Sequence, residues 1–384
     1  MQGLGLAAAA GPALAQGSGN GATGRPMPEM ERPFPGPAEQ RVGYALVGLG
    51  KFALDEILPG FAASGRSRVV ALVSGNRAKA ADVAARYGID PRNLYGYANF
   101  DAIRDNPAID AVYIALPNGL HAEYTVRAFR AGKHVLCEKP MANSPAEGEA
   151  MIRAGAEAGR KLMIAYRQRF EPLNVKVRAL VEDGALGTVR LVTSDHHRHL
   201  KPSDPADQWR MDRSLSGGGS LVDIGIYSLQ AARMMTGEEP VAVSATVSTP
   251  RNDDRFRQVE DMVAWSMRFP SGAMAHLTSS YTGGRLKRIQ VLGTEATAVL
   301  DPGTEYRGNR LTLREENGAR EIQAEGLNQF SAEIDHMSGC IRDNQAPRAP
   351  GEEGLRDLRL IRAIYAAAEH GSWLALNPDG SHRG

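Results

Sequence analysis

A phenol, a carboxylate and an ammonium mark where this chain could move a proton. The segment GGGSLVDIGIY, residues 217–227, reads as the start of an apolar helix. It nonetheless carries Asp223 and Tyr227 four residues apart, where one helical face would present both inward. Gly217, Gly218 and Gly219 allow the backbone to approach its neighbours closely. Far upstream, CEKP (137–140) sets Lys139 before a proline, which favours an extended backbone and a side chain projecting from a strand end. Removing a hydride from an alcohol carbon requires that the hydroxyl proton leave as well, so a base is needed at that carbon. A free tyrosine titrates at about 10. Bringing it near neutrality takes about 3 units, or roughly 4 kcal/mol, which a neighbouring ammonium could largely supply. Lys139 is the candidate for that ammonium. The spacing alone is met as well by a local cap or ion pair at Asp223 and an interfacial ring at Tyr227.

A hydride needs an acceptor, and GLGKFA (48–53) has the glycine spacing of a dinucleotide-binding turn, with Ala53 at the third small position. Gly48 permits the tight turn and Gly50 lets the backbone approach a pyrophosphate. Leu49, Lys51 and Phe52 lead into a helix whose positive end faces that group. The same pattern also occurs as a ligand-free strand-to-helix turn. At the end of the second strand an NAD site usually has Asp or Glu, whereas this chain has Ser74, Gly75, Asn76, Arg77, Ala78 and Lys79. With no acid to repel a 2′-phosphate, and with Arg77 and Lys79 able to pair with it, NADP is favoured over a solvated helix start. LPNGLH (116–121) falls where the fourth strand would end. It brings Leu116, Pro117, Asn118 and His121 to the carboxyl edge of an open sheet, although Asn118 could equally cap a helix.

The elements that position these residues follow from periodicity. Apolar strands at 42–50, 68–75, 110–116, 133–138 and 161–166 alternate with helices at 54–64, 77–87, 121–132 and 145–159. This rhythm describes a parallel sheet covered on both faces, here residues 41–165. After Tyr166 the period changes to two, with strands at 188–195, 241–249, 260–269 and 288–294. Residues 166–384 are therefore expected to form a mainly antiparallel open sheet, covered on one face by helices near 219–236, 328–342 and 353–370. The fold class is α/β followed by α+β.

The chain has 384 residues, 45 Lys+Arg against 44 Asp+Glu, and a net charge of +1, so it offers no field for a nucleic acid. No uncharged run reaches the roughly 18 residues of a membrane span. Residues 1–16 lack a basic start and read either as the end of a secretory leader cut after Ala15, which would point to a periplasmic protein, or as an Ala/Gly-rich disordered tail; a Pro/Gly-rich arm follows to residue 40. Cys137 and Cys340 are expected to be buried thiols. The HHRH run (196–199) has metal-like spacing, but strand alternation splits it across two faces, so no metal is expected.

EKP at 138–140 together with GGGSLVDIGIY at 217–227 resembles the Gfo/Idh/MocA oxidoreductase family over about residues 42–370. The segments VSGN (73–76), NFDAI (99–103), GEEP (237–240), VEDMVAWSMRFPSGA (259–273) and SSY (279–281) resemble its glucose-fructose and aldose-aldose branch. The resemblance implies a Rossmann domain, a second domain on a large open sheet, and a site between them holding tightly bound NADP. It implies proton transfer by Lys139 and Tyr227 and sugar binding by Asp223 near the anomeric hydroxyl. It also implies cofactor or substrate contacts from Glu138, Arg167, Trp209, Arg210 and Tyr281. The expected reaction is a ping-pong exchange in which one aldose is oxidised at C1 to a lactone and a second aldose or ketose is reduced to an alditol. Asp195, His196, His197, Arg198, His199 and Asp207 are available for sugar hydroxyls, with Arg198 the preferred contact. Sheet edges in the second domain favour a homodimer or homotetramer. No twin-arginine pair precedes the apolar leader, which leaves the route of export open.

Overall fold

The computed structural model describes residues 41–326 and 328–383, so the leader and arm expected over residues 1–40 lie outside the described residues. The first sheet contains β1 (Val42–Val47), β2 (Ser67–Val73), β3 (Leu94–Tyr95), β4 (Ala111–Ile114), β5 (His134–Glu138) and β6 (Leu162–Ala165). All pairings are parallel and the order is β3-β2-β1-β4-β5-β6, that of a doubly wound dinucleotide fold. The continuous apolar run of β1 is explained by burial on both faces. After the glycine turn the chain enters a π turn, Ala53–Ile57, and then α1 (Leu58–Ala62). Helices α2 (Arg77–Tyr87), α3 (His121–Arg130) and α4 (Pro145–Ala158) complete the layers. Asn76 caps α2 and Ser144 caps α4, each accepting a backbone N–H from three residues on, and left-handed glycines, Gly88 and Gly159, end them.

The second sheet has nine strands: β7 (Val189–His197), β8 (Ala242–Ser248), β9 (Met262–Arg268), β10 (Met274–Ser280), β11 (Leu286–Gly293), β12 (Thr297–Leu300), β13 (Leu311–Glu315), β14 (Gly318–Ile322) and β15 (Leu374–Ala375). Their order is β14-β13-β12-β11-β7-β10-β9-β8-β15, antiparallel throughout except for the β7–β10 pair. Along β7 the residues Val192, Ser194 and His196 are buried and alternate with more exposed ones. Three other helices of this half, α5 (Pro172–Glu182), α6 (Pro205–Gln208) and α7 (Arg213–Ser216), precede a π turn at Leu221–Gly225, which leads into α8 (Ile226–Thr236). Two long helices follow, α9 (Gln329–Arg342) and α10 (Gly351–His370).

Two expectations are corrected. The helix near 328–342 does not cover the second sheet: Phe330, Ile334 and Met337 of α9 are buried with Tyr44, Phe61 and Tyr113 against the first. Its apolar stripe was legible, but a stripe does not say which sheet it covers. Strands β3, β10, β12, β13, β14 and β15 stand outside the expected runs; β3 and β15 have only two residues, β12 has four, and the β13–β14 hairpin exposes most of its side chains. Both cysteines are free and buried. Among the described residues no helix is long and apolar enough to cross a membrane.

Candidate active site

The carboxyl ends of β1, β2, β4 and β5 open onto a cavity of about 610 Å3, closed on its other side by β7, the π turn before α8 and the loop between β12 and β13. Gly48 has φ 94°, and a Cβ there would lie 2.4 Å from the Ala115 carbonyl oxygen, so only glycine makes this turn. At Gly50 a Cβ would meet nothing within 4 Å, because the backbone faces the cavity. Lys79 Nζ reaches back to the Leu49 carbonyl oxygen at 3.4 Å. A bare backbone cradle, a helix beginning directly after it and a cation at the second strand end fit a dinucleotide phosphate chain.

On the opposite wall, the Glu260 carboxylate accepts the N–H groups of Gly219 at 2.7 Å and Leu221 at 3.0 Å and the Tyr365 hydroxyl at 2.9 Å. This anchors the glycine triplet. A Cβ on Gly219 would lie 2.0 Å from the Glu260 carbonyl oxygen, so the close approach expected of these glycines is real. The π turn that follows presents Asp223, and the first turn of α8 presents Tyr227, to the cavity.

Lys139 Nζ arrives from the end of β5. It donates to the Asp223 backbone oxygen at 2.6 Å, lies 4.0 Å from Asp223 Oδ1 and sits 4.7 Å from the centre of the Tyr227 ring. The lysine and the tyrosine therefore converge although 88 positions separate 139 from 227 in the chain. The cation that hydrogen-bonds the phenol is another one: Arg167 Nε donates to the Tyr227 oxygen at 3.0 Å. His196 stacks on the same ring, with centroids 4.9 Å apart. Asp223 Oδ2 accepts from Arg210 Nε at 2.8 Å and from the Tyr281 hydroxyl at 2.9 Å, with Arg198 Nε at 3.7 Å. No hydrogen bond from a described residue reaches Oδ1, which has Lys139 Nζ at 4.0 Å, and Asp223 lines the cavity.

The chain matches two family models. Residues 42–166 match the oxidoreductase family with an NAD-binding Rossmann fold, and residues 174–299 match the GFO/IDH/MocA C-terminal domain. A D-xylose 1-dehydrogenase [NADP(+)] of Haloarcula marismortui is 34% identical over 346 residues, covering 88% of this chain and 93% of that protein. This chain is a Gfo/Idh/MocA oxidoreductase. Among solved structures, an aldose-aldose oxidoreductase from Caulobacter crescentus complexed with glycerol is 48% identical, covers 88% of this chain and 100% of that one, and has a TM-score of 0.85. Levoglucosan dehydrogenase, in complex with NADH and levoglucosan, shares the fold with a TM-score of 0.77 at 24% identity.

The electrostatics of this Gfo/Idh/MocA site depart from the sequence expectation. Burial raises the Tyr227 phenol to about 12, an effect that Arg167 opposes without overcoming. Burial lowers the Lys139 ammonium, partly offset by Asp223 and Glu138. Burial alone would raise Asp223, but Arg210, Lys139 and Arg198 outweigh it and hold the carboxylate well below its usual range. The protein thus sets a phenol beside one buried and one half-buried cation, and Lys139 acts on the ring face while Arg167 acts on the oxygen.

Most of the expected residues line the cavity: Gly48 to Phe52, Ser74, Lys79, Leu116 to Asn118, Glu138, Lys139, Arg167, Arg198, Trp209, Arg210, Asp223 and Tyr227. Gly75, Asn76, Arg77, His121 and Tyr281 do not. Asn76 caps α2, and Arg77 begins that helix on the exposed side, which leaves Lys79 as the cation of the pair in the cavity. His121 is fully buried with both ring nitrogens on the Pro140 and Leu116 carbonyl oxygens, at 2.8 and 2.9 Å, and so ties two strand-end loops together. Asn118 donates to the Ser216 carbonyl oxygen at 2.8 Å, so it joins the two walls rather than capping a helix. Tyr281 supports Asp223 from behind. Of the polar run, His196, Arg198 and Asp207 face the cavity. Asp195 and His197 do not: Asp195 pairs with Arg288 at 3.0 Å and His197 bonds Thr278 at 2.7 Å. His199 does not line the cavity either.

Residues that the sequence reading did not single out also stand here. Tyr306 packs under Arg167, whose guanidinium lies 4.6 Å from its ring centre. Lys287 pairs with Glu305 at 3.0 Å, and burial lowers its ammonium to about 8. A signal for Lys287 existed, since it holds the inward register of Ile289 and Val291 on β11 where alternation reserves an apolar residue. Tyr306, in an irregular loop, gave none.

Proposed function

We propose that this sugar oxidoreductase uses tightly bound NADP to oxidise an aldose at C1 to an aldonolactone and then to reduce a second aldose or ketose to an alditol, in a ping-pong cycle. The observation that carries this reading is the convergence of Lys139, Arg167 and Asp223 on Tyr227 beside a dinucleotide cradle, in a chain 48% identical to an aldose-aldose oxidoreductase. The cofactor is NADP, which the glycine turn, Gly48 to Phe52, and Lys79 would hold. It supplies the hydride acceptor in one half-reaction and the donor in the other.

The chain's own residues do the rest. Asp223 Oδ1 accepts a sugar hydroxyl and fixes C1, while Arg210 and Tyr281 hold the carboxylate ionised and in place. Tyr227, as phenolate, takes the O1 proton, and Arg167 and Lys139 stabilise its negative charge. In the return half-reaction Tyr227 gives the proton to the carbonyl oxygen of the second sugar. His196, Arg198 and Lys287 supply polar groups for the remaining hydroxyls. Export to a periplasm and pairing into a homodimer or homotetramer through the second sheet complete the proposal.

A second reading has its own support in the 34% identity to an NADP-dependent D-xylose dehydrogenase: a dehydrogenase that exchanges its cofactor at each turnover. One experiment separates the two. The purified protein is incubated with glucose alone, without added nucleotide, and the products are quantified. Equal amounts of gluconate and sorbitol are expected. Turnover only on addition of NADP would favour the dehydrogenase, and neither product under any condition would remove both readings.

A further inference from the structure

Behind Arg167 lies an acid that the reaction does not use. Glu333, on α9, is 0% exposed, and neither of its carboxyl oxygens has a hydrogen-bond partner among the described residues. It stands one turn beyond Gln329, whose Oε1 accepts from Arg167 at 2.7 Å, and α9 packs against the sheet that ends in Glu138. Glu138 is better supported: it accepts the Tyr113 hydroxyl at 2.6 Å and the Lys139 backbone N–H at 3.3 Å. The charges of Glu138 from β5 and Arg167 after β6 act on Glu333, Glu333 in turn acts on Tyr113 from β4, and α9 packs on β5. Arg167 itself has no ion pair with a carboxylate among the described residues. Its donors go to Tyr227, Gln329 and the carbonyl oxygens of Thr304 and Glu305.

A buried carboxylate with no donor is strongly disfavoured, and the negative charge of the half-buried Glu138 carboxylate disfavours its ionisation further. We infer that Glu333 and Glu138 together hold one proton, carried by Glu333, and that this proton leaves the Arg167 charge free to serve the Tyr227 phenolate. Burial and the neighbouring Glu138 charge push the Glu333 carboxyl well above the usual range, consistent with that assignment. Loss of the proton would place a second negative charge beside Arg167 and disfavour the phenolate. Glu333 is thus a positioning residue that acts through Arg167. The step involves no bond other than O–H: a proton held on one carboxyl leaves to solvent as that carboxyl ionises.

The idea rests on the reading of Tyr227 as the acid-base group only for its consequence, since the proton itself is read directly by infrared spectroscopy. At neutral pH the wild-type protein is expected to show the carbonyl stretch of a protonated carboxylic acid, absent in Glu333→Gln. In Glu138→Gln the same band should titrate at lower pH, because the like charge is gone. Should Glu333→Gln fold poorly, Glu333→Met, which replaces an unpartnered buried acid by an apolar chain of similar shape, is expected to raise the unfolding temperature. In kinetics, the alkaline limb of the sugar-oxidation profile is expected to shift down by about half a unit or more in Glu333→Gln. No band difference between wild type and Glu333→Gln, or an unmoved titration in Glu138→Gln, would overturn the shared proton. Identical pH profiles would overturn its coupling to Tyr227, even if the sugar reaction is as proposed.

Discussion

Tyr227 is reached by two cations in different ways, and they make different predictions. Arg167 donates to its oxygen at 3.0 Å, whereas Lys139 lies over its ring. The phenol is raised to about 12, so near neutral pH the phenolate is the scarce form and sugar oxidation should accelerate as pH rises. Arg167→Gln removes a charged hydrogen bond worth about 1.5–3 kcal/mol, which raises the phenol further. Oxidation is expected to slow by about 10- to 100-fold at neutral pH and to recover in part at alkaline pH, while reduction of the second sugar, which needs the protonated phenol, is spared. Stopped-flow rates of both half-reactions against pH test this. Equal losses at every pH and in both directions would mean that Arg167 only holds the loop. The convergence of Lys139 on Asp223 and Tyr227 was legible in the sequence, because an acid and a phenol in an apolar helix start and a lysine before a proline at a strand end stand out. The role of Arg167 was not, because an arginine after a strand end announces no partner.

At the scale of elements, the decisive piece is the π turn before α8, pinned by one carboxylate. Glu260 binds the N–H groups of Gly219 and Leu221, and the space at Gly219 excludes a methyl group. Gly219→Ala is expected to destabilise the fold by about 1–3 kcal/mol and, by moving the turn away from β9, to lower kcat more than it raises KM. Denaturant unfolding alongside steady-state kinetics checks it, and a variant with wild-type kcat would contradict the positioning role. The glycine triplet foretold this close approach. The extra residue of a π turn could not be read, since Asp223 and Tyr227 keep the same spacing in either helix type. Glu260 was equally silent, because its partners are two backbone N–H groups and the hydroxyl of the distant Tyr365, which no sequence pattern marks.

On the scale of the whole molecule, the chain returns to its first half near the end. Phe330 is buried against Phe52 and the α1 region, with ring centroids of Phe52 and Phe330 5.7 Å apart, so α9 braces the cofactor side of the cleft and brings Gln329 behind Arg167. Phe330→Ala is expected to cost about 3–5 kcal/mol of stability and to weaken retention of the dinucleotide, measured as cofactor released on gel filtration. Full retention would show that α9 supports stability only. The change from a helix-alternating rhythm to period two made both sheets legible. Strand order within the second sheet, and the crossing of α9 to the first, depend on contacts between distant segments that periodicity does not encode.

The central claim is that Tyr227 moves the proton in a site assembled by Lys139, Arg167 and Asp223. The most direct measurement is a single turnover of Tyr227→Phe with its cofactor in place, following nicotinamide absorbance after glucose is added. The account predicts that glucose still binds and that reduction slows by at least about 100-fold. Reduction at close to the wild-type rate would contradict it.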